Sequence, residues 1–282
     1  MNTGALAGLL VMVVSEAATL VRIEPFYSWN TPIAWTGFIL FADSVVWRAR
    51  KRSWIRSSPA EFVFLAAISI PLWLVFEFYN LYIDNWYYTG LPETFWVRQF
   101  GYAWSFATIW PAIFEAADLI DAWRRAPHGL HLGRTHTYLA LGNPRVAGWI
   151  SVGLGAALLV WPLIWPSRYL AAPVWLGFIF LLEPVNIRLG EASIYQHSRS
   201  AGYAAISNLL MSGFLCGVLW EFWNYWSGTK WIYNVPILPS VRIFEMPILG
   251  FGGFPPFALE CFVMYTALRR WLWTAAPRPI SL

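Results

Sequence analysis

Six carboxylates stand in stretches of this chain that are otherwise apolar, and they fall into three matched pairs. Asp43 and Glu183 each follow a Trp-x-Gly-Phe-Ile segment. Glu77 and Glu221 each open a Glu-x-x-Asn motif, closed by Asn80 and Asn224. Glu115 and Glu260 each end a Pro-x-x-x-Glu motif that begins at Pro111 and Pro256. A charge at the centre of an apolar span costs about 2.5–3.5 kcal/mol on insertion scales, so such residues face a bundle interior or a water-filled cavity and are candidates for function. A carboxylic acid kept protonated in a dry site can donate a proton to an apolar substrate. A chain of acids can equally carry protons for a transporter.

Spacing suggests a shared site. Residues three apart lie on one helix face, so Glu77 and Asn80 are expected to point the same way, and Glu221 and Asn224 likewise. Glu77 lies seven residues before Asp84, about 10 Å along a helix. Glu115 lies nine residues before Arg124, about 14 Å by the same rise. The expected catalytic set is Glu77, Asn80, Glu115, Glu221, Asn224 and Glu260. The expected substrate-binding set is Asp43, Glu183, Trp86, Trp231, Arg98 and Arg242. Aromatic faces such as Trp86 and Trp231 stabilise cations. Arg98 and Arg242 open the fourth and eighth spans and suit a carboxylate or an anionic head group. Pro111 and Pro256, read as mid-helix prolines, free a carbonyl one turn earlier beside each Glu.

Structural alternatives accompany these readings. A Glu bonded to Asn on a neighbouring helix can simply hold a bundle together. Asp43 and Glu183 can pair with Arg48 and Arg188, and most of the 20 Trp can serve as belt and packing residues. Glu-x-x-Asn with a third carboxylate suits Mg²⁺ or Ca²⁺ by ligand type, but the iron-binding bundles use Glu-x-x-His. No metal or other cofactor is expected. His128, His131 and His136 read as a solvated loop, and His197 has no sequence partner. No G-x-S-x-G, Walker A, G-x-G-x-x-G or H-E-x-x-H motif occurs.

The elements that must position these residues are helices in a bilayer. The chain has 282 residues, 58% apolar and only 12% charged, against about 25% charged in average soluble proteins. Neither a disordered chain nor an ordinary soluble globule fits. A bilayer core needs about 20 apolar residues per helix. Eight candidate spans follow, at 4–21, 32–47, 60–81, 101–122, 146–166, 172–188, 202–226 and 247–268. The expected fold is all-α, a polytopic membrane helix bundle. The first span lacks a basic leader and is interrupted by Glu16, so it reads as a retained helix. Fourteen of the 19 Lys and Arg residues fall in alternate loops, which puts both termini in the cytoplasm. Compact loops suit a plasma (inner) membrane. Cys216 and Cys261 both lie in apolar runs and give no disulfide framework. The net charge of +4 is split into short clusters between apolar runs, which is no nucleic-acid signature.

Internal comparison adds a duplication. The segment from Trp35, WTGFILFADSVVWR, matches that from Trp175, WLGFIFLLEPVNIR. FEFYN (Phe76–Asn80) matches WEFWN (Trp220–Asn224), and VRQF (Val97–Phe100) matches VRIF (Val241–Phe244). Trp86 and Tyr88 match Trp231 and Tyr233, and PAIFE (Pro111–Glu115) matches PFALE (Pro256–Glu260). The reading is a first four-helix repeat over 1–122, a basic linker over 123–145 and a second repeat over 146–282. Two parallel repeats of four spans are related by a pseudo-twofold axis along the membrane normal.

Three function classes remain. One is an intramembrane enzyme doing acid–base isomerisation or cyclisation on a lipophilic, isoprenoid-like substrate. The second is a proton- or ion-coupled transporter. The third is a non-catalytic subunit or lipid-binding scaffold. The partners expected are membrane lipid and a lipophilic small molecule, with no nucleic acid. The sequence sets no oligomeric state.

Overall fold

The computed structural model describes residues 2–125, 144–194 and 203–273. Most of the basic linker, His128, His131, His136, His197 and Arg278 lie outside those residues. Among the described residues the chain is helical, and six helices are long and apolar enough to cross a membrane. It is a helical, multi-pass membrane protein. The long elements follow the apolar runs because lipid offers backbone groups no outside partner, so each segment must satisfy its own.

In chain order these are α1 (Thr3–Leu20), α2 (Phe26–Arg50), α3 (Trp54–Ser57) and α4 (Pro59–Ile83), then strand β1 (Trp86–Thr89). There follow α5 (Phe95–Ala107), α6 (Ile109–Arg124) and α7 (Pro144–Ile164). A 3₁₀ turn at Arg168–Leu170 leads into α8 (Ala171–Arg188). Then come α9 (Tyr203–Trp226), β2 (Lys230–Tyr233), β3 (Arg242–Ile243) and β4 (Met246–Pro247). A second 3₁₀ segment, Ile248–Gly253, leads into α10 (Phe254–Leu272). The six apolar candidates are α1, α4, α7, α8, α9 and α10, with the 3₁₀ segments extending α8 and α10.

Two of the eight expected spans differ from that set. α2 has 25 residues but carries Asp43, Arg48 and Arg50 and a polar run at Ser28, Asn30 and Thr31. The span expected at 101–122 is two helices of 13 and 16 residues, α5 and α6, with a break at Thr108. The prolines explain the break and correct the mid-helix reading. Pro111 and Pro256 are each the third residue of their helix, α6 and α10. In a first turn the missing N–H has no intrahelical partner to lose. The chain therefore restarts a helix just before each proline, and at the α5–α6 break the Ser69 hydroxyl of α4 donates to the Phe106 carbonyl and accepts from the Trp110 N–H at 3.2 Å.

α1 packs on α2, and α7 on α8, through glycines. A Cβ on Gly8 would lie 2.5 Å from the Gly37 carbonyl oxygen, and one on Gly155 would lie 2.8 Å from that of Gly177. Small residues at such crossings let backbones approach closely in membranes. The core lies between α2, α4, α6, α9 and α10, around fully buried Phe76, Trp110, Phe114, Phe262 and Tyr265. Trp110 donates its indole N–H to the Cys261 carbonyl at 2.9 Å, tying α6 to α10.

At one end of the bundle, charges bind the helices. Arg50 of α2 pairs with Asp118 at 2.9 Å and with Asp121, and Arg125 reaches Asp121 at 2.6 Å. Asn208 of α9 donates to Asp121 at 3.1 Å. Glu61 of α4 accepts from Arg269 at 2.7 Å and from the Tyr265 hydroxyl at 2.9 Å, both on α10. Such buried pairs fix which helices meet, and removing one partner costs about 3–5 kcal/mol because a charge is left stranded. At the opposite end, β1 and β2 form an antiparallel pair.

The glycine contacts give a test within one helix. Gly155→Leu is expected to destabilise the protein by about 1–3 kcal/mol through overpacking against α8. Gly153, where no atom lies within 4 Å of an added Cβ, should accept leucine with little change. Thermal denaturation of both variants in detergent checks this.

Candidate functional site

α4 and α9 each end on a Glu-x-x-Asn and turn within a few residues into a strand. The asparagine makes that turn possible. Asn80 donates to the Trp86 carbonyl at 2.8 Å and accepts from the Trp86 N–H at 3.2 Å and the Asn85 N–H at 2.9 Å. Asn224 donates to the Trp231 carbonyl at 2.8 Å and accepts from the Trp231 N–H at 2.9 Å. Each amide thus pairs with both backbone groups of one strand residue, Trp86 or Trp231, on the edge away from the β1–β2 ladder. A buried backbone donor or acceptor left unpaired would cost about 1–3 kcal/mol.

The glutamates face elsewhere. Oε1 of Glu77 accepts from Trp73 Nε1 at 2.8 Å, Trp86 Nε1 at 3.2 Å and the Tyr88 hydroxyl at 2.5 Å. Glu221 is fully buried and accepts from the Tyr233 hydroxyl at 2.7 Å. Tyr233 in turn accepts from Trp231 Nε1 at 2.8 Å. Burial, then the neighbouring carboxylate, pushes the Tyr88 and Tyr233 phenols well above the usual tyrosine range. Both therefore stand as neutral O–H donors to their glutamates. The Glu of each motif thus takes aromatic side-chain donors while its Asn takes strand backbone, and among the described residues no group of three or more His, Cys, Asp or Glu is placed to hold a metal ion.

The aromatic donors form the wall of a cavity of about 490 Å³ between α2, α4, α5, α8, α9 and the strands. Seven tryptophans line it: Trp29, Trp35, Trp73, Trp86, Trp175, Trp220 and Trp231. They lock one another in place. Trp73 packs on Trp86 at 6.0 Å and on Trp220 at 5.6 Å between ring centroids. Trp220 meets Trp231 edge-on at 5.6 Å, and Phe257 meets Trp175 edge-on at 5.3 Å. Tilted and edge-to-face pairs of this kind add about 0.5–1.5 kcal/mol each beyond burial. Tyr88 and Tyr233 line the same cavity.

Of the expected site residues, Trp86, Trp231 and Arg98 line this cavity. Glu77 and Glu221 stand behind it, through Tyr88 and Tyr233. Asn80 and Asn224 hold the strands. Five others are not among its lining residues. Asp43 accepts from the Ile55 N–H at 2.9 Å and pairs with Arg56 at 3.6 Å, so it holds the start of α3 and its ion-pair partner is not Arg48. Glu183 is half-buried on α8, while Arg188 lies over the Trp149 ring, 4.0 Å from its centroid. Glu115 is fully buried in α6, and Glu260 is fully buried in α10, accepting from the Phe178 N–H at 3.3 Å. Arg242 lies exposed in β3, donating to the Pro239 carbonyl at 2.7 Å, and so opens no helix.

Sequence reasoning passed over the two tyrosines as chemical groups, although they recur beside Trp86 and Trp231. It also passed over Lys230, which lines the cavity, and the Glu61–Arg269 pair, whose partners lie 208 residues apart. Comparison with protein-family models, with curated proteins and with solved structures gave no match.

Asn224→Ala removes both bonds to Trp231. Leaving the buried strand groups unsatisfied is expected to cost about 1–3 kcal/mol. The melting temperature should fall, and the tryptophan emission should shift to the red as Trp231 loosens. Asn224→Asp, which keeps the acceptor but loses the donor to the Trp231 carbonyl, should sit between wild type and Ala.

Proposed function

We propose that this protein is an intramembrane enzyme that shifts protons on a lipophilic, isoprenoid-like substrate, isomerising or cyclising it. One observation carries the reading. Two Tyr–Glu pairs, Tyr88–Glu77 and Tyr233–Glu221, meet the same aromatic cavity. A phenol bonded to a carboxyl can take a substrate proton on its oxygen while passing its own proton to the glutamate, and can run the same relay backwards. One pair gives a proton to a substrate double bond as the other removes one from a neighbouring carbon. A C–H bond forms and another breaks, so the double bond moves and the formula is unchanged. If a second double bond attacks the intermediate cation first, a ring closes. The negative faces of the tryptophans stabilise that cation. After one turnover the two glutamates have exchanged protonation states, and the next turnover runs with roles reversed.

Reversal of roles suits a duplicated protein, and the account includes two parallel four-span repeats with both termini cytoplasmic. Support comes from the strands. Trp86 pairs with Tyr233, Tyr87 with Ile232 and Tyr88 with Trp231, so Trp86 and Trp231, matched in sequence, are exchanged by a local dyad through the Tyr87–Ile232 pair. The matched clamps of Asn80 and Asn224, and the glycine crossings of α1 with α2 and α7 with α8, agree with it. In that arrangement α2 and α5–α6 complete the eight spans, and the strand end faces away from the cytoplasm. Proton-coupled transport is the competing reading. It draws on the fully buried Glu115, Glu221 and Glu260 and requires the cavity to open in turn to both faces.

Mass spectrometry of lipids co-purified with wild type and with the Tyr88→Phe/Tyr233→Phe variant tests the enzyme. Acid–base groups contribute about 10²–10⁴-fold in rate, so the variant should accumulate an unconverted isoprenoid isobaric with the wild-type species but chromatographically distinct. Bulk phospholipid alone in both samples, together with proton flux in wild-type liposomes, would favour transport.

A further inference from the structure

The cavity is not uniformly apolar, and its polarity is ordered along α5. From α5 the lining takes Val97, Arg98, Gly101, Tyr102, Ser105 and Phe106, and Ile109 follows at the start of α6. Their spacing is that of a single helix face. The wall therefore descends from a guanidinium through a hydroxyl-bearing middle to an apolar floor. Arg98 and Phe106 are eight residues apart, about 12 Å along the helix.

Charge on the lining has one sign. Among the described residues, Arg98 and Lys230 are the charged side chains that line the cavity, and no Asp or Glu does so. The two cations differ in commitment. Lys230 is paired with Glu245 at 2.5 Å and donates to the Tyr225 carbonyl at 3.4 Å. Arg98 donates to the Pro92 carbonyl at 3.2 Å and lies 6.0 Å from the Phe95 ring centroid. Among the described residues it has no carboxylate partner. Most of its five N–H donors remain for a ligand, in the planar fork that matches phosphate and carboxylate oxygens.

We infer that the cavity takes an anionic amphiphile. Its phosphate or carboxylate head is held by Arg98, and its hydrocarbon runs down α5 past Tyr102 and Ser105 to Phe106 and Ile109. This rests on the reading of the aromatic cavity as the substrate site. It narrows the substrate class from lipophilic molecules in general to those carrying a negative head group. The cavity volume of about 490 Å³ lies within the usual range for small-ligand pockets. Arg242, which occupies the matching place in the second Val-Arg motif, does not line the cavity, so the head-group site belongs to one half of the chain.

The test is a titration of the purified protein with farnesyl monophosphate, farnesol and palmitate, followed through quenching of tryptophan fluorescence. Farnesyl monophosphate is expected to bind at least about tenfold more tightly than farnesol, one charge-assisted contact's worth. Arg98→Gln should abolish that preference by weakening farnesyl monophosphate far more than farnesol. Arg98→Lys should restore part of it, and Arg188→Gln, which removes a cation elsewhere, should leave it intact. Palmitate separates the two sources of charge. Binding as tight as that of the phosphate marks a site for any anionic head, and weak binding marks a phosphate site. Equal affinity for farnesol and farnesyl monophosphate in wild type, or a preference that survives Arg98→Gln, overturns the inference and leaves the cavity as a substrate site. Failure of all three to bind overturns the inference and the substrate-site reading together.

Discussion

The antiparallel pairing of Trp86–Thr89 with Lys230–Tyr233 is the contact on which the site depends. Strand backbone beside membrane helices is tolerable only where its donors and acceptors are satisfied by protein. Here the ladder joins the inner edges of the two strands, and the Asn80 and Asn224 side chains pair with the outward backbone groups of Trp86 and Trp231. Alternate strand residues point to opposite faces. With Trp86, Tyr88, Trp231 and Tyr233 all lining the cavity, the intervening Tyr87 and Ile232 turn the other way. The four aromatic side chains that matter are thus aimed by backbone geometry.

The buried glutamates follow from that constraint. A cavity walled by tryptophan and tyrosine presents N–H and O–H groups that need acceptors, since a buried donor left unpaired costs about 1–3 kcal/mol. Glu77 and Glu221 supply those acceptors from the helices behind the strands. The arrangement is not equal on the two sides. Glu77 gathers three aromatic donors on one oxygen, while Glu221 accepts from Tyr233, which in turn accepts from the Trp231 indole. At the far end the Arg50–Asp118–Asp121 and Glu61–Arg269 contacts lock α2, α4, α6 and α10 together. The strand end can therefore hold an open volume without the bundle collapsing into it.

Much of this was legible in the sequence. Apolar runs located α1, α4, α7 and α9 to within about two residues, since span length and hydropathy are set by the bilayer. Matching Trp86 and Tyr88 with Trp231 and Tyr233 singled out four residues that line one cavity, although nothing in the match said that they meet. What the sequence hid was of three kinds. Four-residue strands are too short to show a period, so nothing in the sequence marks Trp86–Thr89 as a strand. Helix-face geometry put Glu77 and Asn80 on one side, but rotamer choice sent one to the aromatic wall and the other to the strand backbone. The proline motif was visible, yet a proline three residues into a helix and one in its middle look alike in sequence. Glu115, Glu260, Asp43 and Glu183 stood out by cost of burial alone, and burial does not say which cavity, if any, a carboxyl serves.

Hydrogen–deuterium exchange, read by mass spectrometry on the Trp86–Thr89 and Lys230–Tyr233 segments in wild type and Asn80→Ala, reports on the strand pairing itself. The two strands protect each other, and Asn80 secures the pair. Both segments should exchange slowly in wild type, and both should lose protection together in Asn80→Ala, although Asn80 touches only the first. Slow exchange of Lys230–Tyr233 that persists when Trp86–Thr89 is released would contradict that mutual protection.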